Sequence, residues 1–310
     1  MIPSAIAHLR ARTPFPSLSR RPVQVQSPLP KSVCPPKVRG TGRFRYTARQ
    51  NGLCSFSPRV NIPMTSAADE PSERASYPEL SHVTDFETIL SPDGFVSICG
   101  FGSLLSERSA RSTFPDLRNF RVAKLYGFRR VFGHVAPIFF DRGIANEETK
   151  EVSSLSVEAC EGEHLVITVF EIKRSEVPSF IEREHEFRFL VVVPEEINGE
   201  LYSRPAVLCA RYSDEEYFQV RCKGDEALYF QRYGRHNIHK IWRDDILPCR
   251  IYLRHCVLAA KSLGEAAYDN FLDHTYLGDR KTSIREYLAS SGSDIMEEEP
   301  PETLKFRYGG

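Results

Sequence analysis

Short apolar runs alternate with polar, turn-rich stretches along this chain, and the spacing within each run sets the element it predicts. Residues 95–99 form an apolar strand that runs straight into Gly100-Phe101-Gly102-Ser103. Residues 106–114 are polar with scattered apolar positions, a short helix or an ordered loop. Residues 120–132 read as a strand pair or as one bent strand, with Gly127 as the bulge or bend. Residues 137–150 read as a loop. Residues 152–159 and 164–170 are strands flanking Glu161-Gly162-Glu163, a hairpin candidate. Ser175 is placed as the N-cap of a helix running to about residue 185, with Val177, Phe180 and Ile181 on one face. Strands follow at 187–193 and 206–210. Beyond them the spacing turns helical over 214–220, 225–233, 250–263, 265–273 and 283–289. The segment 250–263 has the broadest apolar face and Gly264 as its stop.

Composition changes this picture at both ends. The whole chain has 41 basic and 41 acidic residues, but the charges are segregated. Residues 1–68 hold eleven Arg or Lys, ten prolines, twelve Ser or Thr and no acid, whereas residues 69–310 hold 30 basic and 41 acidic residues. A basic, Ser- and Pro-rich, acid-free N-terminus reads as an organelle transit peptide, for a plastid stroma in preference to a mitochondrion. The competing reading is a basic tail for nucleic acid or an anionic membrane. Residues 69–92 read as a linker, 93–290 as the folded domain and 291–310 as an acidic disordered tail. No apolar run approaches the roughly 20 residues that span a bilayer, so the mature chain is expected to be soluble. Its acidity argues against nucleic-acid or membrane partners. Six cysteines fall beyond residue 68 without C-x-x-C or zinc spacing, and most read as reduced core residues. His236 and His239 form an H-x-x-H read as a loop.

Two stretches carry candidate chemistry. The glycine loop Gly100, Phe101, Gly102, Ser103 and Leu104 allows positive φ and exposes amide N–H groups, a concavity for a carboxylate or an oxyanion. In Glu182-Arg183-Glu184-His185-Glu186, a carboxylate at a helix end beside a buried strand is placed for a raised pKa.

Together these stretches resemble the gamma-glutamylcyclotransferase family, its ChaC-like or AIG2-like branch in particular. Cys99-Gly100-Phe101-Gly102-Ser103-Leu104 resembles its G-Y-G-S-L. The run from Ala123 through Gly127-Phe128-Arg129-Arg130-Val131-Phe132 resembles A-x-x-x-G-[YF]-R-R-x-F. Phe180-Ile181-Glu182-Arg183-Glu184 resembles Y-L-x-x-R-E, and Pro248-Cys249-Arg250-Ile251-Tyr252-Leu253 echoes G-P-N-x-x-Y-L. The resemblance spans residues 94–265. It implies an α+β fold, a mixed, mostly antiparallel β-barrel or strongly curved sheet with packed helices, to which this chain adds C-terminal helices. It implies a catalytic Glu184, substrate binding by residues 100–104, a small γ-glutamyl substrate, and no metal or cofactor. The implied reaction is cyclisation of a γ-glutamyl peptide or amine to 5-oxoproline with release of the amine. Glu182 and Glu186 rank below Glu184, because on a continuing helix they point elsewhere. The chain departs from the pattern at Phe101, where the family has Tyr, and at His185-Glu186-Phe187, where close relatives have a glycine-containing turn. These departures motivate the alternative of a non-catalytic ligand-binding or interaction module.

Overall fold

The structure, a computed structural model, describes residues 77–309. The chain divides into two units, Met1–Asp69 and Glu70–Gly310; the fold below is that of the second, and the proposed transit peptide lies outside the described residues. In chain order the elements are β1 (Glu79–Leu80), β2 (Phe95–Gly100), α1 (Glu107–Thr113), β3 (Arg118–Val135), α2 (Pro137–Asp141) and β4 (Glu151–Lys173). Then come α3 (Val177–Arg183), β5 (Phe187–Val192), β6 (Glu195–Glu196), β7 (Ala206–Arg211), α4 (Asp214–Val220) and α5 (Glu226–Arg232). The chain finishes with β8 (Leu247–Pro248), α6 (Arg250–Ser262), α7 (Glu265–Asp273), β9 (Thr275–Leu277), α8 (Ile284–Leu288) and α9 (Lys305–Tyr308).

The architecture is α+β and mostly antiparallel. The strands run in the order β1-β5-β7-β2-β4-β3-β6, with β8 added to β4 and β9 to β3. Among the described residues only β2–β7, β3–β9 and β4–β8 pair in parallel. The expected barrel is not closed: the path ends on β1 and β6, two-residue strands that do not pair with each other.

Residues 118–135 form one bent strand rather than a pair, and the expected hairpin at Glu161-Gly162-Glu163 does not form. Residues 151–173 continue as one strand because both halves bond to the same partner. Val122 faces Thr168 on one side of the irregularity, and Val131 faces Ser156 on the other. Gly127, at φ 80°, stands opposite the four residues 160–163, among which Gly162 has φ 81°. Gly127 is the bulge its strand was expected to have, and Gly162, which suggested a reversal, sits in the extra residues opposite it.

Apolar faces account for the layers. Val96 and Ile98 of β2 pack with Phe170, Phe180 and Phe189 in one core. Phe132 and Leu155 pack under Leu253, Val257 and Phe271 of α6 and α7 in another. Helix α6 stops where Gly264 takes φ 104°, a conformation glycine adopts without a Cβ clash.

Four further expectations change. Residues 137–150 contain α2, which begins at Pro137 with its φ preset for a first helical turn. Ser175 is not the helix cap: a 3₁₀ turn, Arg174–Glu176, precedes α3, whose N-cap is Glu176. The linker contributes β1 and a 3₁₀ helix, Val83–Ile89, with Phe86 buried. Residues 291–309, expected as a disordered tail, pack on the domain. Ile295 and Tyr308 are buried, and the acidic run docks on α6 through Arg250, which lies 2.8 Å from Asp294 and also contacts Glu298.

Candidate functional site

The site lies where β2 ends, where α3 ends and where α6 begins. Between them is a cavity of about 110 Å³, lined by Phe101, Gly102, Ser103 and Leu104 on one side and by Glu184, Glu186 and Tyr252 on the other. It opens into a larger cleft of about 910 Å³, with which it shares Ser103, Ser154, Arg183, Glu184, Glu186 and Tyr252.

The glycine loop is held from behind. Arg130, on the core side of β3, is wholly buried and donates from Nε to the Phe101 carbonyl at 2.7 Å. It also donates to the Val166 carbonyl and to Asn270 Oδ1, the latter at 3.3 Å. Burial without a carboxylate partner lowers its pKa to about 9. Thr168 Oγ1 donates to the Leu104 carbonyl at 2.9 Å. With these carbonyls tied to the core, the amides of Gly102 and Ser103 have no backbone acceptor among the described residues.

The expected positive φ is absent at both loop glycines. Close approach requires glycine there instead. A Cβ on Gly100 would stand 2.5 Å from Thr168 Oγ1, and one on Gly102 would stand 2.9 Å from Tyr252 Oη. Gly100 itself does not line the cavity; its missing side chain lets Thr168 reach the loop.

Helix α3 carries the carboxylates in. Its last backbone bond, Glu184 N–H to the Phe180 carbonyl at 3.0 Å, is followed by departure from helical geometry at Glu184, with φ −101° and ψ 32°. Residues 184–186 turn rather than continue the helix, so the spacing rule that separated Glu184 from Glu186 no longer applies. Both carboxylates line the inner cavity, each with about 18% of its side chain accessible. Glu182 lies only on the wall of the outer cleft.

Their electrostatics differ. Arg183 Nε bonds Glu184 Oε1 at 2.9 Å. Glu186 has no arginine partner; its neighbour is His185 Nδ1 at 3.7 Å, an imidazole that burial keeps neutral, and burial, then the charge of Glu184, push the Glu186 pKa up to about 8. The raised pKa anticipated for the helix-end carboxylate thus falls on Glu186. At neutral pH it carries a proton beside an ion-paired carboxylate, an arrangement for moving protons.

Two thiols, Cys99 and Cys209, also line the cavity. Burial raises both pKa values, for Cys209 with the added charge of Glu184 and Glu186, so neither is a thiolate at neutral pH. Tyr252 supplies a phenol beside Gly102 although Phe101 has none; burial holds its hydroxyl protonated. His236 of the H-x-x-H sits against Asp141 at 3.2 Å, and among the described residues no cluster of three or more His, Cys, Asp or Glu side chains is placed to hold a metal.

Sequence reasoning ranked Glu186 below Glu184 and did not single out Arg130, Ser154 or the C-terminal segment as parts of the site. Arg130 and Tyr252 lie within motifs that were visible, but nothing in those motifs tells a pin or a lining group from a core residue.

No family model matches this chain, and no curated protein matches it. Solved structures do. The chain is similar to a gamma-glutamyl cyclotransferase. That likeness has 18% identity over 49% of this chain and 90% of the other, with a TM-score of 0.31. An uncharacterized protein from Homo sapiens matches with 18% identity over 49% and 90% of the two chains, TM-score 0.30. A protein from Arabidopsis thaliana solved in solution matches with 12% identity over 46% and 89%, TM-score 0.31.

Proposed function

We propose that this protein cyclises a γ-glutamyl amide, giving 5-oxoproline and the free amine. The observation that supports this reading is the meeting, in one cavity, of two unlike carboxyl groups and a loop with free amides.

The chemistry needs both halves. The substrate's α-ammonium must lose one proton before its nitrogen attacks the γ-carbonyl and a second once the new bond has formed, and the departing nitrogen must gain two. The Glu184–Glu186 pair holds one proton at neutral pH, so its ionised member accepts a proton while its protonated member delivers one. In total the α-nitrogen loses two protons and the leaving nitrogen gains two, one C–N bond forms and one breaks, and the pair ends as it began. The oxyanion on the γ-carbonyl carbon is met by the Gly102 and Ser103 amides. Holding amine and carbonyl in one small cavity supplies proximity, because attack occurs within one molecule. The phenol of Tyr252 beside the loop answers the missing hydroxyl at Phe101, and Glu186 in the cavity answers the altered turn after Glu184, the two departures that motivated a ligand-binding module.

The test is release of 5-oxoproline from γ-glutamyl dipeptides and from glutathione by the full chain. Wild type releases it, and Glu184→Gln and Glu186→Gln each slow release at least about 100-fold, the usual scale of an acid–base group. Undiminished release by both variants, or no release from any γ-glutamyl compound, refutes the proposal.

A further inference from the structure

One face of the sheet edge around β6 carries side chains that the cyclisation does not use. Strand β3 pairs antiparallel with β6, with Lys124 opposite Glu195 and Ala123 opposite Glu196. Beyond β6 the chain folds back, so that Leu201 faces Glu195 from the other side. Side chains alternate along extended backbone, so residues two apart share a face. Tyr126 lies two residues from Lys124, and Val193 and Ile197 lie two residues before and after Glu195. Tyr126, Val193, Ile197 and Leu201 therefore group around Glu195, whose Oε1 the Tyr126 hydroxyl reaches at 3.5 Å. All four are open to solvent: 53% of Tyr126, 50% of Val193, 55% of Ile197 and 69% of Leu201 is accessible. The patch continues onto β4, where the His164 ring stacks on Tyr126 with centroids 5.7 Å apart. Single exposed apolar side chains are ordinary, but a group of them on a sheet edge marks an interaction site.

The charges around this patch are left open as well. Lys124, Glu195, Glu200 and Arg204, two of each sign, form no ion pair among the described residues. Lys124 closes none with Glu195 although the two stand opposite each other in register. Besides the Tyr126 hydroxyl on Glu195, Glu200 takes only the Asn198 side-chain amide, at 3.4 Å. Elsewhere on β3 such pairs do close, Arg118 with Glu171 at 2.9 Å and Arg129 with Glu158 at 2.7 Å.

The balance of signs selects the occupant. A strongly basic or strongly acidic partner satisfies half of these groups and repels the other half. A second copy turned about a two-fold axis presents the same patch in reverse. Each copy's cations then meet the other's carboxylates around a shared apolar centre.

We propose that this face joins two copies of the chain as an isologous dimer. Tyr126, Val193, Ile197 and Leu201 form its centre, and Lys124 and Arg204 of each copy meet Glu195 and Glu200 of the other at its rim. None of these residues lines the inner cavity or the outer cleft, so pairing and chemistry use separate residues. The dimer is independent of the cyclotransferase reading.

The test is sedimentation equilibrium of the full chain from about 1 μM to about 100 μM, the range in which a modest dimer forms. Wild type sediments as a dimer. Leu201→Asp and Ile197→Asp each weaken association roughly tenfold or more. Far-UV dichroism stays unchanged, because both side chains are exposed. Charge reversal then tests the two-fold arrangement. A variant with Lys124→Glu and Arg204→Glu is monomeric, and so is one with Glu195→Lys and Glu200→Lys. Mixed, the two form a dimer of one chain each, because the reversed rims complement each other. A wild type that stays monomeric across the range overturns the proposal, as does a dimer that Leu201→Asp and Ile197→Asp both leave intact. Charge-reversed variants that do not pair with each other overturn the two-fold pairing of the rim.

Discussion

Replacing Glu186 with Gln tests the electrostatics of the site without reference to any substrate. The carboxyl has an ordinary value of 4.5 and a value of about 8 in the fold, raised by burial and then by Glu184. A folded-state pKa above the unfolded one means that the fold holds the proton more tightly than the open chain. Its stabilising effect is complete below pH 4.5 and is lost as pH rises towards 8. Between those limits one proton separates the two states, and stability falls by about 1.4 kcal/mol per pH unit. From pH 7 to pH 9 the slope fades past 8, and the loss is on the order of 1 kcal/mol. This is an upper bound, because about 18% of the side chain remains accessible. Gln keeps the shape and removes the titration. Buried histidines do not interfere: burial lowers His134 to about 3 and His185 and His255 to about 4, so they titrate below this window. The assay is urea unfolding of wild type and Glu186→Gln at pH 7 and pH 9, at one ionic strength. Wild type loses on the order of 1 kcal/mol more than the variant, equivalent to about 2–4 °C in Tm for a domain of this size. Glu184→Gln, by removing the neighbouring charge, moves the loss to lower pH. Equal losses in wild type and Glu186→Gln refute the assignment of a buried, protonated carboxyl at this position.

Two substitutions probe the loop's support. Arg130→Met leaves the Phe101 and Val166 carbonyls without their donors in a dry core, a cost of about 3 kcal/mol in chemical denaturation; a loss under about 1 kcal/mol refutes the pin. Gly102→Ala brings a Cβ to 2.9 Å from Tyr252 Oη and 3.2 Å from Leu155 Cδ2, so the phenol must move. Destabilisation of about 1–3 kcal/mol with a raised KM for γ-glutamyl dipeptides is expected, and an unchanged KM refutes the tight contact.

The limits of legibility follow from what local pattern encodes. Apolar runs such as residues 95–99 and 187–193 identify strands because burial demands them whatever the partner. Pattern does not say which strand each run pairs with. Glu161-Gly162-Glu163 carries the same local signal whether the chain reverses or bulges, and only the long partner β3 decides between them. The acidic residues after 291 look solvated in isolation because the cations that order them, Arg250 and Arg254, lie some forty residues away on a helix face.

The site divides along the same line. Loop and helix end are each local, so residues 101–104 and Glu184 were legible as candidates, and the structure brings them to one cavity. Glu186 was set aside by a helical spacing rule that holds only while the helix continues. Helix α3 ends at Arg183, and no glycine or proline at residues 184–186 announces that end. What ends it is tertiary: Phe187 must enter β5 opposite Arg211, and the chain cannot reach that register as a helix. The same constraint swings Glu186 in beside Glu184 and away from water. The feature hardest to read from sequence, where α3 stops, therefore also creates the raised pKa on which the proposed proton transfers depend.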